Sequence, residues 1–148
     1  MMPGEPTIVD IHKINGTRPR FTKYIGRVTR YTEFTEDSKW CNPFTIKTWG
    51  PRAMLMFECY ARRLLSKDPL ADKALDGCLK RLSTPESLVV GMAIRRAVDR
   101  WGEGSWDVDE LTGEILGCWC VGDDGTRAIV KETCHGQVWR RIWREKHS

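Results

Sequence analysis

No apolar run in these 148 residues approaches the length of a membrane span, and the amino terminus, Met1-Met2-Pro3-Gly4-Glu5, has no charged segment leading into an apolar stretch. Neither a membrane helix nor a secretory leader is therefore expected, and the chain is read as intracellular and cytoplasmic. Internal repeats and low-complexity tracts are also missing, which sets aside solenoids and disordered linkers. Charge of a single sign is lacking too: 24 basic residues against 20 acidic ones leave a net charge of +4. Only the distribution is uneven, with eight acids and two bases over 102–132 and four bases and one acid over 134–148. A mildly basic last helix without a recognised binding motif does not make nucleic acid an expected partner.

What is present describes a globular chain, 41% apolar and 30% charged, long enough for one domain, 1–148, with a core that needs no staples. Reduced thiols are expected for its cysteines, because nothing signals an oxidising compartment. Thr7 to Ile14 alternates as a strand and ends in the turn signal Asn15-Gly16. Lys23 to Val28 reads as a second, shorter strand. Helices follow from Pro51 to Leu65, from Asp68 to Leu82, and from Ser83 to Gly102. In the last of these Ser83 and Glu86 have capping-box spacing, and Leu88, Val89, Met92, Ala93, Ala97 and Trp101 are expected to be buried. One turn is expected within Trp106–Leu111, then a strand over Glu114–Cys120 and a final helix from Cys134 to about Lys146, with Thr133 as its N-cap. This order predicts an α/β or α+β fold, a small sheet of few strands with helices packed on it.

The cysteines concentrate the chemistry. Cys118 and Cys120 alternate onto one face of the predicted strand, and Cys134-His135 opens the last helix, where free backbone N–H groups and the positive dipole end favour a thiolate. Three readings stand. Cys134 is a nucleophile, with His135, Cys118 or Cys120 as base or resolving thiol; the four residues bind zinc, although a Cys-x-Cys pair and a sequential Cys-His depart from the usual knuckle; or the cysteines are small core residues. Adjacent residues in a first helical turn point about 100° apart, so His135 is not expected to aim at the Cys134 sulfur. Cys59 and Cys78 fall on apolar helix stripes and read as core, Cys41 stays open, and His12 reads as a structural histidine.

The amino-terminal half adds a second group. Arg27 and Arg30 suit a phosphate or carboxylate, Tyr24 and Trp40 suit stacking on a base or sugar, and Ser38 and Asn42 can orient a ligand by hydrogen bonds. Against this, Trp40 and Phe44 are the residues a small core needs most.

Four motifs recur in order: Tyr24-Ile25-Gly26-Arg27, Ser38-Lys39-Trp40-Cys41-Asn42-Pro43-Phe44, Leu116-Gly117-Cys118-Trp119-Cys120 and Cys134-His135-Gly136. On these the chain resembles a small family of bacteria and phages known only as a domain of unknown function. The resemblance implies an intracellular α/β domain and no established activity. Two departures from its pattern stand out: a helical block at about 68–104 that reads as an insertion, and a longer link between Cys120 and Cys134. The residues together point to a thiol-dependent enzyme acting on a small anionic or nucleotide-like molecule. The alternative is a non-catalytic, zinc-stabilised module that contacts a protein or nucleic-acid partner.

Overall fold

The computed structural model describes residues 2–11, 16–17, 19–27, 37–65, 80, 83–102, 106–118 and 134–148. These fall into two compact units, one of Met1–Asn42 with Val108–Ser148 and one of Pro43–Asp107.

The first unit holds a parallel three-stranded sheet. Its strands are β1 (Thr7–Asp10), β2 (Lys23–Tyr24) and β3 (Ile115–Cys118), in the order β1-β3-β2, with both outer strands parallel to β3. Direction could not be read from the alternation pattern, because a parallel and an antiparallel strand bury the same residues. Asp10 pairs with Cys118 and Tyr24 with Gly117. All three strands therefore end along one edge of the sheet. The ladder outlasts the strands by one bond on each side: Ile11 N–H donates to the Cys118 carbonyl at 3.0 Å, and Ile25 N–H to the Gly117 carbonyl at 3.0 Å.

A glycine at position 117 is what lets β3 lie centrally. A Cβ there would stand 2.7 Å from the Ile11 side chain and 2.8 Å from the Phe21 ring. Ahead of β3, a short 3-10 turn (Val108–Leu111) buries Val108 and Leu111. The final helix of this unit, here α4 (His135–His147), sinks Val138, Trp139, Ile142 and Trp143. Those positions follow the helical period and form one apolar stripe.

In the second unit the structure places α1 (Ile46–Trp49), α2 (Arg52–Leu65) and α3 (Thr84–Trp101). Helix α2 buries Met56, Phe57, Tyr60, Ala61 and Leu64. Ser83 caps α3 as expected, its hydroxyl accepting from Glu86 N–H at 3.4 Å, and Gly102 ends the helix. The buried face of α3 differs from the expected one. Val90, Ile94 and Ala97 are interior, whereas Leu88, Val89 and Met92 are 64%, 57% and 51% exposed. The segment from Leu88 to Ile94 is apolar nearly all round, so periodicity does not select a face; packing against α2 does. Of the expected helix over 68–82 only Lys80 is described, in a turn; the rest, with Cys78, lies outside the described residues, as do His12, Arg30 and the continuation of the first two strands past Ile11 and Arg27.

Candidate functional site

The four sequence motifs do not sit apart. In the first unit, residues of all four meet at the carboxyl edge of the sheet, where β3 ends and α4 begins. Cys118 is the last residue of β3, and its sulfur lies 3.2 Å from that of Cys134, with both residues fully buried and neither in a disulfide. Two sulfurs at that separation are in direct contact, about 1 Å further apart than in a disulfide. The longer link between Cys120 and Cys134 thus still returns Cys134 to β3. Cys120 lies outside the described residues, so its expected place beside Cys118 is not described.

Cys134 is not inside the helix, as the sequence suggested, but at its N-cap, with extended backbone angles. Its sulfur accepts from Gly136 N–H at 3.4 Å, and its carbonyl accepts from Gln137 N–H at 2.9 Å. A thiol takes the role usually filled by a hydroxyl or carboxylate. The preceding Thr133, a better capping type, was the expected cap for that reason; it too lies outside the described residues.

His135 opens α4 and is buried, with Nε2 2.7 Å from the Ile25 carbonyl. A carbonyl only accepts, so Nε2 carries the proton. That bond draws the imidazole toward the Tyr24–Arg27 motif and pins the first turn of α4 against the end of β2. The helix start packs closely here: a Cβ at Gly136 would come within 3.0 Å of the tip of Ile25 and 3.2 Å of Ile8.

The Tyr24–Arg27 motif is tied on its other sides as well. Tyr24 donates its hydroxyl to the Arg27 carbonyl, closing the turn, and Ser38 N–H donates to the Gly26 carbonyl at 3.0 Å. Arg27 itself is exposed at this edge. In the next motif the Ser38 hydroxyl accepts from Trp40 N–H at 3.1 Å, so it shapes its own loop. Trp40 is 2% exposed: its ring meets Trp139 edge to face at 4.9 Å, and its carbonyl accepts from the Trp139 indole at 2.8 Å. Asn42 is half-buried. Phe44 is buried against Tyr60 in the second unit. Trp40 and Phe44 are thus core anchors, Tyr24 is half-buried, and Arg27, Ser38, Lys39 and Asn42 are polar groups of the two motifs.

Cys59 is buried on α2 as expected but is disulfide-bonded, against the expectation of reduced thiols; Cys41 is buried and not in a disulfide. Among the described residues no group of three or more His, Cys, Asp or Glu side chains is arranged to hold a metal ion.

Sequence reasoning missed Glu5. Its carboxylate is fully buried and is gripped by Arg140 at 3.1 Å and by Arg144, which binds through Nε. The Arg144 hydrogen bond, helped by Arg140, holds the Glu5 carboxyl below the usual carboxylate range even though burial pushes the other way. The signal was two arginines one turn apart on α4, Arg140 and Arg144; their partner lies 135 and 139 residues away in sequence.

Against known families, residues 9–145 match the model of a domain of unknown function, DUF4326. The chain belongs to that family. Neither a comparison with curated proteins nor one with solved structures found a match. No helix among the described residues is long and apolar enough to cross a membrane.

Proposed function

We infer that this DUF4326 chain is a small thiol-dependent enzyme whose reactive centre is the Cys118–Cys134 pair, acting on a small anionic or nucleotide-like molecule. One observation carries the reading: the two sulfurs, not joined as a disulfide, lie 3.2 Å apart at the junction of β3 and α4. Core cysteines need only fill volume, and volume does not require sulfur-to-sulfur contact. Contact at a helix start suits a redox pair, in which Cys134, capped by Gly136 N–H, is the thiolate and Cys118 resolves it.

The surroundings fit an anion. In open parallel sheets ligands gather outside the carboxyl ends of the strands, and a helix N-terminus there favours negative charge. Arg27 is an exposed cation at that edge, with Ser38 and Asn42 in the loop tied to it. In this role Arg27 holds the anion, and Ser38 and Asn42 orient it. His135 positions the first turn rather than acting as the base through Nε2, which Ile25 occupies. The zinc-stabilised alternative has no described set of ligands behind it.

Oxidation by a peroxide is balanced by the pair alone. The Cys134 thiolate attacks one peroxide oxygen and expels the other, giving a sulfenic acid; Cys118 then attacks that sulfur, forming the S–S bond and releasing water. The test is graded hydrogen peroxide on the native chain, followed by peptide mapping. A Cys118–Cys134 bridge should form before Cys41 is oxidised, and Cys134→Ser should prevent it. Retention of both thiols while Cys41 oxidises would sink the reading, as would about one tightly bound zinc per chain protecting both sulfurs.

A further inference from the structure

Within the second unit, the carboxyl-terminal half of α3 borders a pocket of about 280 Å³. It is lined by Pro43, Phe44, Trp49, Arg96, Arg100 and Trp101, together with small alanines of α3. Arg96 and Arg100 stand one helical turn apart, on the same side of α3. Both are exposed, and neither has a carboxylate within ion-pair distance among the described residues. The Arg100 guanidinium lies over the Trp101 ring, 5.1 Å from its centre. Trp49 and Trp101 are half-buried, and both line the pocket.

We propose that this pocket binds a small aromatic phosphate, of the nucleoside monophosphate class, separately from the thiol pair. Two forked cations one turn apart match a dianionic phosphate, which accepts from both guanidinium groups at once, better than a single carboxylate does. The flat tryptophan surfaces supply the other half of the recognition, since every nucleobase has a face on which an indole can stack. Arg100, stacked on Trp101, loses less freedom when it binds an anion than an unsupported arginine would. The negative end of the α3 dipole opposes an anion there, but it amounts to about half a charge against two full cations. At about 280 Å³ the pocket lies just under the range typical of small-molecule sites, roughly 300–1,000 Å³, and so suits a mononucleotide rather than a dinucleotide.

The experiment is isothermal titration of the full chain with adenosine monophosphate, with inorganic phosphate and adenosine as the separated halves. Saturable binding of the monophosphate is expected, about tenfold or more tighter than either half, because charge and stacking add. Arg96→Gln and Arg100→Gln should each weaken it about tenfold, the loss of one charge-assisted contact. Trp49→Leu should weaken adenosine monophosphate but leave inorganic phosphate unchanged, because Arg100 keeps its support on Trp101. Circular dichroism verifies that each variant is folded, and both arginines are exposed, so folding is expected to survive. No saturable binding, or equal binding by the Arg96 and Arg100 variants, overturns the proposal. Binding lost in Arg27→Gln but kept in Arg96→Gln would move the nucleotide to the sheet edge and overturn it equally. A single-stranded oligonucleotide binding far more tightly than the monophosphate would replace the small-molecule site with a nucleic-acid one.

Discussion

The indole N–H of Trp139 on α4 donates to the backbone carbonyl of Trp40 at 2.8 Å, and the two rings meet edge to face at 4.9 Å. One pair thus ties the Ser38–Asn42 loop to the helix that carries Cys134 and His135 at its start. Trp139→Phe keeps an aromatic ring but removes the donor, leaving a buried carbonyl short of its partner. A loss of about 1–3 kcal/mol is expected in urea denaturation. An unchanged midpoint would mean the loop is held by other contacts.

Glu5 and Arg144 make a pH prediction with a definite sign. The folded carboxyl titrates below its unfolded value because Arg144 and Arg140 hold its charged form. Its contribution to stability is therefore complete above the unfolded glutamate pKa, about 4.3, and is lost as pH falls from there through the lowered folded value. Glu5→Gln should be less stable than the native chain at neutral pH and should show a shallower fall in its urea midpoint on acidification. Parallel acid limbs for the two proteins would contradict this assignment.

Gly117 and Gly136 should respond differently to alanine. At Gly117 the added methyl meets Ile11 at 2.7 Å and the Phe21 ring at 2.8 Å, so the sheet must shift, at about 1–3 kcal/mol. At Gly136 the nearest atoms are the ends of Ile25 and Ile8 side chains at 3.0–3.3 Å, which can turn aside, and alanine regains up to about 1 kcal/mol of helix propensity. Thermal melts should show Gly117→Ala clearly lowered and Gly136→Ala close to the native chain. A reversed order would mean the helix start, not the sheet, is the stiffer element.

The difference between these glycines shows which parts of the fold were legible. Val138, Trp139, Ile142 and Trp143 announced the buried face of α4 because polar residues separate them from its other side. On α3 the same reasoning selected Leu88, Val89 and Met92, which are exposed. An apolar run offers two stripes, and only a partner chooses between them. The meeting of Cys118 with Cys134 was partly readable, since a strand end and a helix start were both predicted. The parallel direction, the capping role of Cys134 and the grip of Arg144 on Glu5 depend on contacts far apart in sequence, to which local pattern is blind. Arg96 and Arg100 carried no signal beyond that of an ordinary helix surface until Trp49 and Phe44 were placed beside them.

Cys134 has two separable duties, and two substitutions divide them. As N-cap it satisfies Gly136 N–H through sulfur at 3.4 Å, a longer and weaker contact than a hydroxyl makes. Cys134→Ser should therefore keep the cap and leave the melting temperature near or slightly above that of the native chain. Cys134→Ala should lose the cap, at about 0.5–2 kcal/mol. Both substitutions remove the sulfur facing Cys118, so both should abolish the peroxide-induced bridge and any thiol-dependent turnover. A role confined to core packing makes the opposite forecast, with serine worse than alanine because a hydroxyl would replace sulfur in a buried apolar site. The melting order of the two variants, read beside their peroxide response, separates a reactive capping thiol from a passive one.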